Sequence, residues 1–491
     1  MNPIQWPGFS KADRGYLTQH QHEQIIKATQ GQLGILSGFA GSGKTTALAW
    51  MLNKLPEDAS IAVAAPTGKA GVRAEQVMQE KGIECQATTI HRLLRPTKIG
   101  HGDGNWGFHF SAARKLPFNV IIIDEAGMIG SGLMSSLLAA VKQGSIVLLV
   151  GDPAQLSPIQ HGCPFLDMME AGIPHGQLTE IHRNSGRIAQ ACGRIRNGEQ
   201  WESSPKVDLE LESPENFLHI ECTGFSKIQR NIVGILSKLK DKGYDLRNDV
   251  QVICPLRKKG MLSVNDLNKI LSPRINPNGR VVDKAAFRVG DKVICIKNGS
   301  RIEEELTAKL ERLEANRLTG IHLTESDLEF IKFSQRHDLD LADEIHLPDD
   351  AKPEAYVANG EIGFIEDITR RHIFVKFTGN KNAIRFNRSD WKNHLQLASA
   401  ISCHKAQGSQ AKVIISVIDG SYGADMVCNR AYHYTALTRA EVLLITIGPK
   451  AVINKQCRVV DVQNRKTMLT KGIIEWRRKK LQGSESLNDL L

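Results

Sequence analysis

The sequence predicts an α/β protein of two parallel-sheet lobes, with a small antiparallel barrel set into the second. Three observations carry this expectation. Short apolar runs alternate with helical stretches from Leu33 to Val150, and a second such series lies late in the chain. The segments between the two series alternate apolar and polar residues around tight turns.

In chain order, the first series is Leu33 to Leu36, Ile61 to Ala65, Val120 to Ile123 and Ile146 to Val150. Apolar runs of strand length flanked by helices are buried on both faces, which is the condition of a parallel sheet. The second series, Val250 to Cys254, Val413 to Ile418 and Val442 to Ile447, predicts a second lobe assembled from separated segments. Between its parts, Phe287 to Lys297, Asn359 to Ile365 and Ile373 to Phe377 alternate in the two-residue period of half-buried strands. The barrel is interrupted from Arg301 to Ala355, where Ile302, Leu306, Leu310 and Leu313 fall at helical spacing and Thr324 with Asp327 forms a capping pattern. Lys471 to Leu481 reads as a basic helix that docks through Ile474 and Trp476 or stands in solvent.

Composition bounds the function. At 491 residues the chain exceeds one core, and 41% hydrophobic content excludes disorder. Lys and Arg outnumber Asp and Glu by 63 to 53, a net +10 that favours polyanionic partners only by non-specific attraction. Nine scattered cysteines without a CxxC pair point away from a zinc ribbon or a disulfide framework and towards buried thiols in a reducing compartment. With no apolar leader at the N-terminus and no bilayer-length run, the expectation is a soluble cytoplasmic protein without a membrane anchor.

Two motifs carry chemistry directly. Gly38-Phe-Ala-Gly-Ser-Gly-Lys44-Thr45 follows a strand and opens a helix, so its glycines let backbone N–H groups wrap phosphates while the helix N-terminus adds positive potential. Lys44 would hold the β and γ phosphates of ATP, and Thr45 would ligate Mg²⁺. Val120-Ile-Ile-Ile-Asp124-Glu125 places two carboxylates where an apolar strand ends. Asp124 can reach the magnesium shell, leaving Glu125 to deprotonate an attacking water. Together the motifs predict hydrolysis rather than passive binding.

Further motifs follow in order: Ala65-Pro-Thr-Gly-Lys-Ala70, Thr89-Ile-His-Arg92, Gly151-Asp-Pro-Ala-Gln155-Leu-Ser-Pro158, His404-Lys-Ala-Gln-Gly408 and Tyr434-Thr-Ala-Leu-Thr-Arg439. With the phosphate loop, this order resembles superfamily 1 helicases, in particular the RecD-like and Dda-like 5′-to-3′ branch, superfamily 1B. The resemblance runs from about Leu17 to Ile447. It implies two RecA-like P-loop domains, a small wedge insertion in the first and an SH3-like barrel in the second.

The implied domains are 1A (1–93 and 118–185), wedge 1B (94–117), 2A (186–280 and 396–455), 2B (281–395, with a helical insertion at about 301–355) and a basic tail (456–491). The implied nucleotide contacts are Gln21 on the adenine, Gly38, Ala40, Gly41, Ser42, Gly43, Lys44, Thr45, Thr46 and Gly408. Gln155 would couple the γ-phosphate to movement, and Arg183 and Arg439 would reach that phosphate from across the cleft. DNA contacts would come from Pro66, Thr67, Lys69, Thr89, His91, His404 and Lys405, whose groups bind phosphates without reading sequence. Isolated histidines are more often structural than functional, and the motif context places the two readings of His91 and His404 level.

Trp106 and Phe108 would lie on the wedge, although the Gly-rich interval reads equally as a surface loop. The resemblance implies an ATP- and Mg²⁺-dependent, 5′-to-3′ DNA helicase on single-stranded and forked DNA. It would work as a monomeric motor beside replication or repair proteins. An RNA helicase and a DNA-binding ATPase subunit without unwinding remain as alternatives.

Overall fold

A computed structural model describes residues 6, 15–80, 87–98, 106–180, 186–205, 213–281, 287–297, 299–302, 354–357, 359–369, 372–377, 380, 382–389, 391–460 and 468–481. The chain divides into two compact units, Met1–Leu267 with Ala400–Leu491, and Asn268–Ser399. The first unit holds both α/β lobes.

Lobe 1 runs α1 (Gln19–Ala28), β1 (Leu33–Gly38), α2 (Lys44–Leu52), β2 (Ile61–Ala65), α3 (Gly68–Glu80), β3 (Ala87–Thr89) and α4 (Ile90–Leu94). A short hairpin, β4 (Pro96–Lys98) with β5 (Trp106–Phe108), follows. Then come β6 (Val120–Ile123), α5 (Ser131–Ala140), β7 (Ile146–Gly151), α6 (Pro164–Glu170) and β8 (His175–Leu178). Six strands form one parallel sheet in the order β3-β2-β6-β7-β1-β8.

The unbroken apolar runs are explained by what covers them. Val120, Ile122, Leu148 and Val150 pack into one hydrophobic cluster with α2, while Ile121, Ile123, Val147 and Leu149 pack into another with α5 and α6. Each strand is buried on both faces, so the period of two vanishes from the sequence. The helix α1 lies directly on the sheet. A Cβ on Gly34 or Gly176 would come within 2 Å of the Ala28 or Gln24 carbonyl oxygen, so both positions admit only glycine.

Lobe 2 runs α7 (Arg187–Asn197), β9 (Phe217–Ile220), α8 (Phe225–Asp241), β10 (Val250–Cys254) and α9 (Val264–Ile275), which continues into the second unit. It resumes after that unit, and its strands again form one parallel sheet. In α8, Ile228, Ile232, Ile235, Leu236 and Leu239 are buried at helical spacing, the stripe that docks on the sheet.

The second unit holds β11 (Lys292–Cys295), β12 (Gly299–Ile302), β13 (Glu354–Val357), β14 (Ile362–Ile368), β15 (His372–Phe377), β16 (Ile384–Asn387) and β17 (Leu395–Leu397). Five of these form an antiparallel sheet, β16-β15-β14-β11-β17, and β12 pairs with β13. Phe287, Val293, Ile365, Ile373, Val375 and Phe386 are among its core residues. This unit begins earlier than the expected boundary at 281, because Asn268 bonds the Leu397 carbonyl at 2.7 Å and Ser272 meets Ser399 at 3.0 Å. The expected helices of the insertion lie outside the described residues.

Returning to lobe 2, the chain adds β18 (Ala400–Ser402), α10 (Cys403–Ala406), β19 (Ala411–Val417), α11 (Tyr422–Asp425), α12 (Arg430–Leu437), β20 (Ala440–Ile447) and α13 (Lys450–Cys457). The parallel order is β18-β10-β19-β20-β9. The last helix, α14 (Leu469–Leu481), docks on α6 of lobe 1. Of the two residues expected to dock it, Trp476 is half-buried with its indole Nε1 covered, whereas Ile474 is 40% exposed, and Leu469 and Ile473 pack on the lobe 1 core. Arg477 donates to the carbonyls of Ala171 and Gly172, which cap the end of α6.

Candidate nucleotide and nucleic-acid sites

The sheet order of lobe 1 decides which motifs meet. Strands β6, β7 and β1 are neighbours, so the phosphate loop after β1, the Asp124–Glu125 pair after β6 and the Asp152–Gln155 turn after β7 share one carboxyl edge. Ligands of open α/β sheets bind at this edge.

Gly41 and Gly43 both sit at φ 80, in the left-handed region where a side chain is strained, and Gly43 precedes α2. A Cβ on Gly38 would meet Ser42 Oγ at 2.7 Å and Leu178 Cβ at 2.9 Å. The loop therefore closes tightly against β8. Lys44 Nζ donates to the carbonyls of Gly38 (2.8 Å) and Phe39 (3.0 Å), and Ser42 Oγ is buried with no hydrogen-bond partner. A buried hydroxyl without a partner, beside amides at a helix N-terminus, fits an incoming phosphate.

Asp124 is half-buried, and desolvation, then the Glu125 carboxylate, push its carboxyl up to about 6 against the opposing pull of the Glu125 N–H and Lys44. A carboxylate so placed is stabilised by a cation, and with the Thr45 hydroxyl on α2 it fits Mg²⁺ by donor chemistry. Glu125 itself sits at φ 51, a left-handed conformation that costs a non-glycine residue about 1 kcal/mol.

Gln21 is buried, and its amide faces protein on both sides. Its oxygen accepts from Thr18 N–H in a capping box, and Nε2 donates to the Ser42 carbonyl at 3.2 Å. In this arrangement it ties α1 to the phosphate loop.

Lobe 2 reaches the same edge. Tyr434 Oη accepts from the Ala40 N–H at 3.2 Å and donates to Asp152 Oδ2 at 2.8 Å. Asp152 also accepts from Ala154 N–H and Gln155 Nε2, while Gln155 Oε1 is buried with no hydrogen-bond partner. Leu156 N–H donates to Thr435 Oγ1, and Gln407 Nε2 donates to the Leu156 carbonyl. A cleft lies here, lined by Ala40, Gly41, Arg196, Gln410, Tyr434 and Thr438 among others.

The two expected arginines fare differently. Arg183 lies outside the described residues. Arg439 is 4% exposed and donates to the carbonyls of Thr435 and Ser409 and to Thr438 Oγ1. A third arginine, Arg196, lines the cleft with its guanidinium over the Phe39 ring. The sequence offered no motif for it. Its only signal was the buried stripe of α7 (Ile188, Ala191, Cys192, Ile195), which seats that helix against lobe 2.

The residues expected on DNA gather at the outer strands. Ala65 pairs with Thr89 across β2 and β3, so the segments starting at Pro66 and Thr89 leave the sheet side by side. Thr67 Oγ1 accepts from Ala70 N–H and Thr89 Oγ1 from Arg92 N–H. Each hydroxyl thus starts a helix and keeps its own proton to donate. The side chain of Lys69 lies outside the described residues.

Gly408, expected on the nucleotide, lies against the segment after β2. A Cβ there would meet Ala70 Cβ at 3.0 Å and Thr67 Oγ1 at 3.4 Å. The turn that follows α10, the helix of His404 and Lys405, is therefore seated against the Thr67 segment.

His91 is half-buried, with its pKa lowered by burial, and its ring lies 5.9 Å from that of Phe108. Within the 94–117 interval, read equally as surface loop or wedge, β4 pairs antiparallel with β5, with Pro96 opposite Phe108. Phe108 rests on the lobe 1 core, and the side chain of Trp106 lies outside the described residues.

Comparisons with known proteins agree with the motif order. Residues 16–208 match the AAA domain family and residues 397–447 the UvrD-like helicase C-terminal domain family. The chain is 29% identical over 452 residues to the ATP-dependent RecD2 DNA helicase of Deinococcus radiodurans, covering 90% of this chain and 50% of that protein. It is 34% identical over 195 residues to the RecBCD enzyme subunit RecD of Mycolicibacterium smegmatis, covering 35% of this chain and 34% of that one. A solved structure of Bacteroides Pif1 helicase with ADP-AlF3 and single-stranded DNA aligns over 95% of this chain and 98% of that one, at 19% identity and a TM-score of 0.43. The chain thus spans half or less of the length of these two curated relatives. The resemblance to RecD-like superfamily 1B helicases holds along nearly the whole sequence.

Proposed function

We propose that this chain is an ATP- and Mg²⁺-dependent DNA helicase of the RecD-like type, a motor that tracks 5′ to 3′ on single-stranded DNA and opens forked duplex. One observation carries the reading: the phosphate loop, through Ala40, and the turn after β7, through Asp152 and Leu156, are hydrogen-bonded directly to Tyr434, Thr435 and Gln407 of the other lobe. Events at the phosphates are in this way transmissible to the second lobe.

When bound, Mg-ATP supplies the phosphoryl group whose transfer to water releases the free energy of the step. Lys44 and the loop amides hold its phosphates, Thr45 and Asp124 hold the metal, and Glu125 takes the proton of the attacking water. Gln155 orients towards the γ-phosphate, and Arg439, with Arg183, reaches it as the cleft closes. The five-stranded antiparallel sheet of the second unit is an SH3-like domain in this reading, and the 96–108 hairpin with Phe108 and Trp106 is the wedge that parts the strands.

The DNA track runs along the outer strands, past Pro66, Thr67, Lys69, Thr89, His91, His404 and Lys405. Hydroxyls, amides and lysine grip phosphates without selecting sequence. This assigns the inner strands of one sheet edge to nucleotide and the outer ones to nucleic acid. The motor works as a monomer in replication, repair or recombination.

Strand displacement on duplexes with one single-stranded tail tests the assignment. Unwinding from 5′ tails with ATP and Mg²⁺ is expected. Unwinding from 3′ tails only, or of RNA only, overturns it.

A further inference from the structure

The proposed chemistry leaves one buried group without a task. Tyr434 is 2% exposed and comes from lobe 2, yet its hydroxyl is inserted between two lobe 1 groups, the Ala40 N–H and the Asp152 carboxylate. Ala40 belongs to the loop whose amides are the phosphate donors, so this donor is already engaged by protein. A phosphate that draws on Ala40 must take the N–H from Tyr434 Oη.

The exchange is felt on both sides of the tyrosine. Asp152 Oδ2, its other partner, also accepts from Gln155 Nε2 at 3.4 Å. Tyr434 lies on α12, the helix that ends just before Arg439, and the neighbouring Thr435 holds both Leu156 N–H and, through its carbonyl, Arg439 Nε. In this arrangement every hydrogen bond given to the Arg439 guanidinium is to its own lobe. The arginine is stowed while the tyrosine is engaged.

We propose that the Tyr434 hydroxyl is a latch: it competes with nucleotide phosphate for the Ala40 N–H and holds α12, with Arg439, in the stowed arrangement until nucleotide displaces it. Tyr434 is a positioning residue in this scheme, acting through Ala40, Asp152 and Arg439. The inference rests on reading the cleft as a nucleotide-hydrolysing site.

The test is Tyr434→Phe, which keeps the ring and removes the competing hydroxyl, measured by binding of a fluorescent ADP and by hydrolysis with and without single-stranded DNA. The loss of one competing hydrogen bond is expected to tighten nucleotide binding roughly three- to tenfold. DNA-free hydrolysis should rise, and the stimulation by DNA should shrink. Tyr432→Phe is the control, since that hydroxyl is buried on the same helix with no hydrogen-bond partner; nucleotide affinity should be unchanged.

Equal or weaker binding by Tyr434→Phe overturns the latch while leaving the cleft assignment intact. A wild-type protein that binds no nucleotide, or a Lys44→Ala variant that binds it equally well, overturns the cleft assignment and the latch with it. Should Tyr434→Phe not fold, hydrogen exchange on the wild type decides. Added nucleotide should raise exchange in peptides covering 430–437, and unchanged or slower exchange there rejects the latch.

Discussion

Lobe 1 ends three adjacent strands in a phosphate loop, a carboxylate pair and the Asp152–Gln155 turn, whereas lobe 2 meets the loop and the turn with a phenol, a threonine and an amide and keeps the Arg439 guanidinium bonded to itself. Both lobes are parallel sheets covered by amphipathic helices, so the difference lies in the edge residues and not in the scaffold. In the proposed function, the carboxylates and the lysine that hold Mg-nucleotide all come from lobe 1. Everything lobe 2 offers is suited to sensing: hydroxyls and amides that change partners cheaply, and an arginine that cannot lose its charge.

Substitutions on the two sides should therefore fail differently. The largest effect belongs to lobe 1. Lys44→Ala should lower hydrolysis by roughly 10³-fold or more and weaken nucleotide binding, as steady-state hydrolysis and titration would show. Retention of hydrolysis would erase the distinction between the lobes.

On lobe 2, Arg439→Lys keeps the charge but loses the planar fork. It should lower hydrolysis by roughly 100-fold while nucleotide still binds. A variant that loses binding and hydrolysis in equal measure would move Arg439 into the binding set.

The smallest effect is on stability and tests lobe 2 alone. His433 is buried against Tyr432, with Nε2 facing Gln456 Oε1 at 2.8 Å, and burial pulls its pKa down to about 4 from 6.5. Because the folded value is depressed, the stability it leaves intact above pH 6.5 is lost as pH falls towards 4. The loss is roughly 2 kcal/mol at pH 5. Denaturant unfolding of wild type and His433→Gln at pH 7 and pH 5 measures it. A wild-type pH slope that the variant keeps would assign the acid lability elsewhere.

What could be read from the sequence followed from burial on both faces. The run Val120 to Ile123 is unmistakable because each residue enters one core cluster or the other. The edge strands β8, β9 and β18 are hidden in the sequence because they are only three or four residues long; on β8, His175 and Gln177 are also exposed. The phosphate loop was legible as a local pattern. The bond from Ala40 to Tyr434 was not, since the two lie 394 residues apart and only the closed fold reveals the pairing. Gly408 shows the same limit, because its neighbours Thr67 and Ala70 belong to a distant motif.

The return of α14 to α6 has a kinematic consequence. Two bodies joined at one place can swivel about it in any direction, whereas two joined at separate places can only swing about the line through both. Lobe 2 leaves lobe 1 through the chain after β8, and the chain beyond α13 fastens back through Leu469, Ile473 and Arg477. In the cycle proposed above, this second fastening would confine opening and closing to a swing about one line.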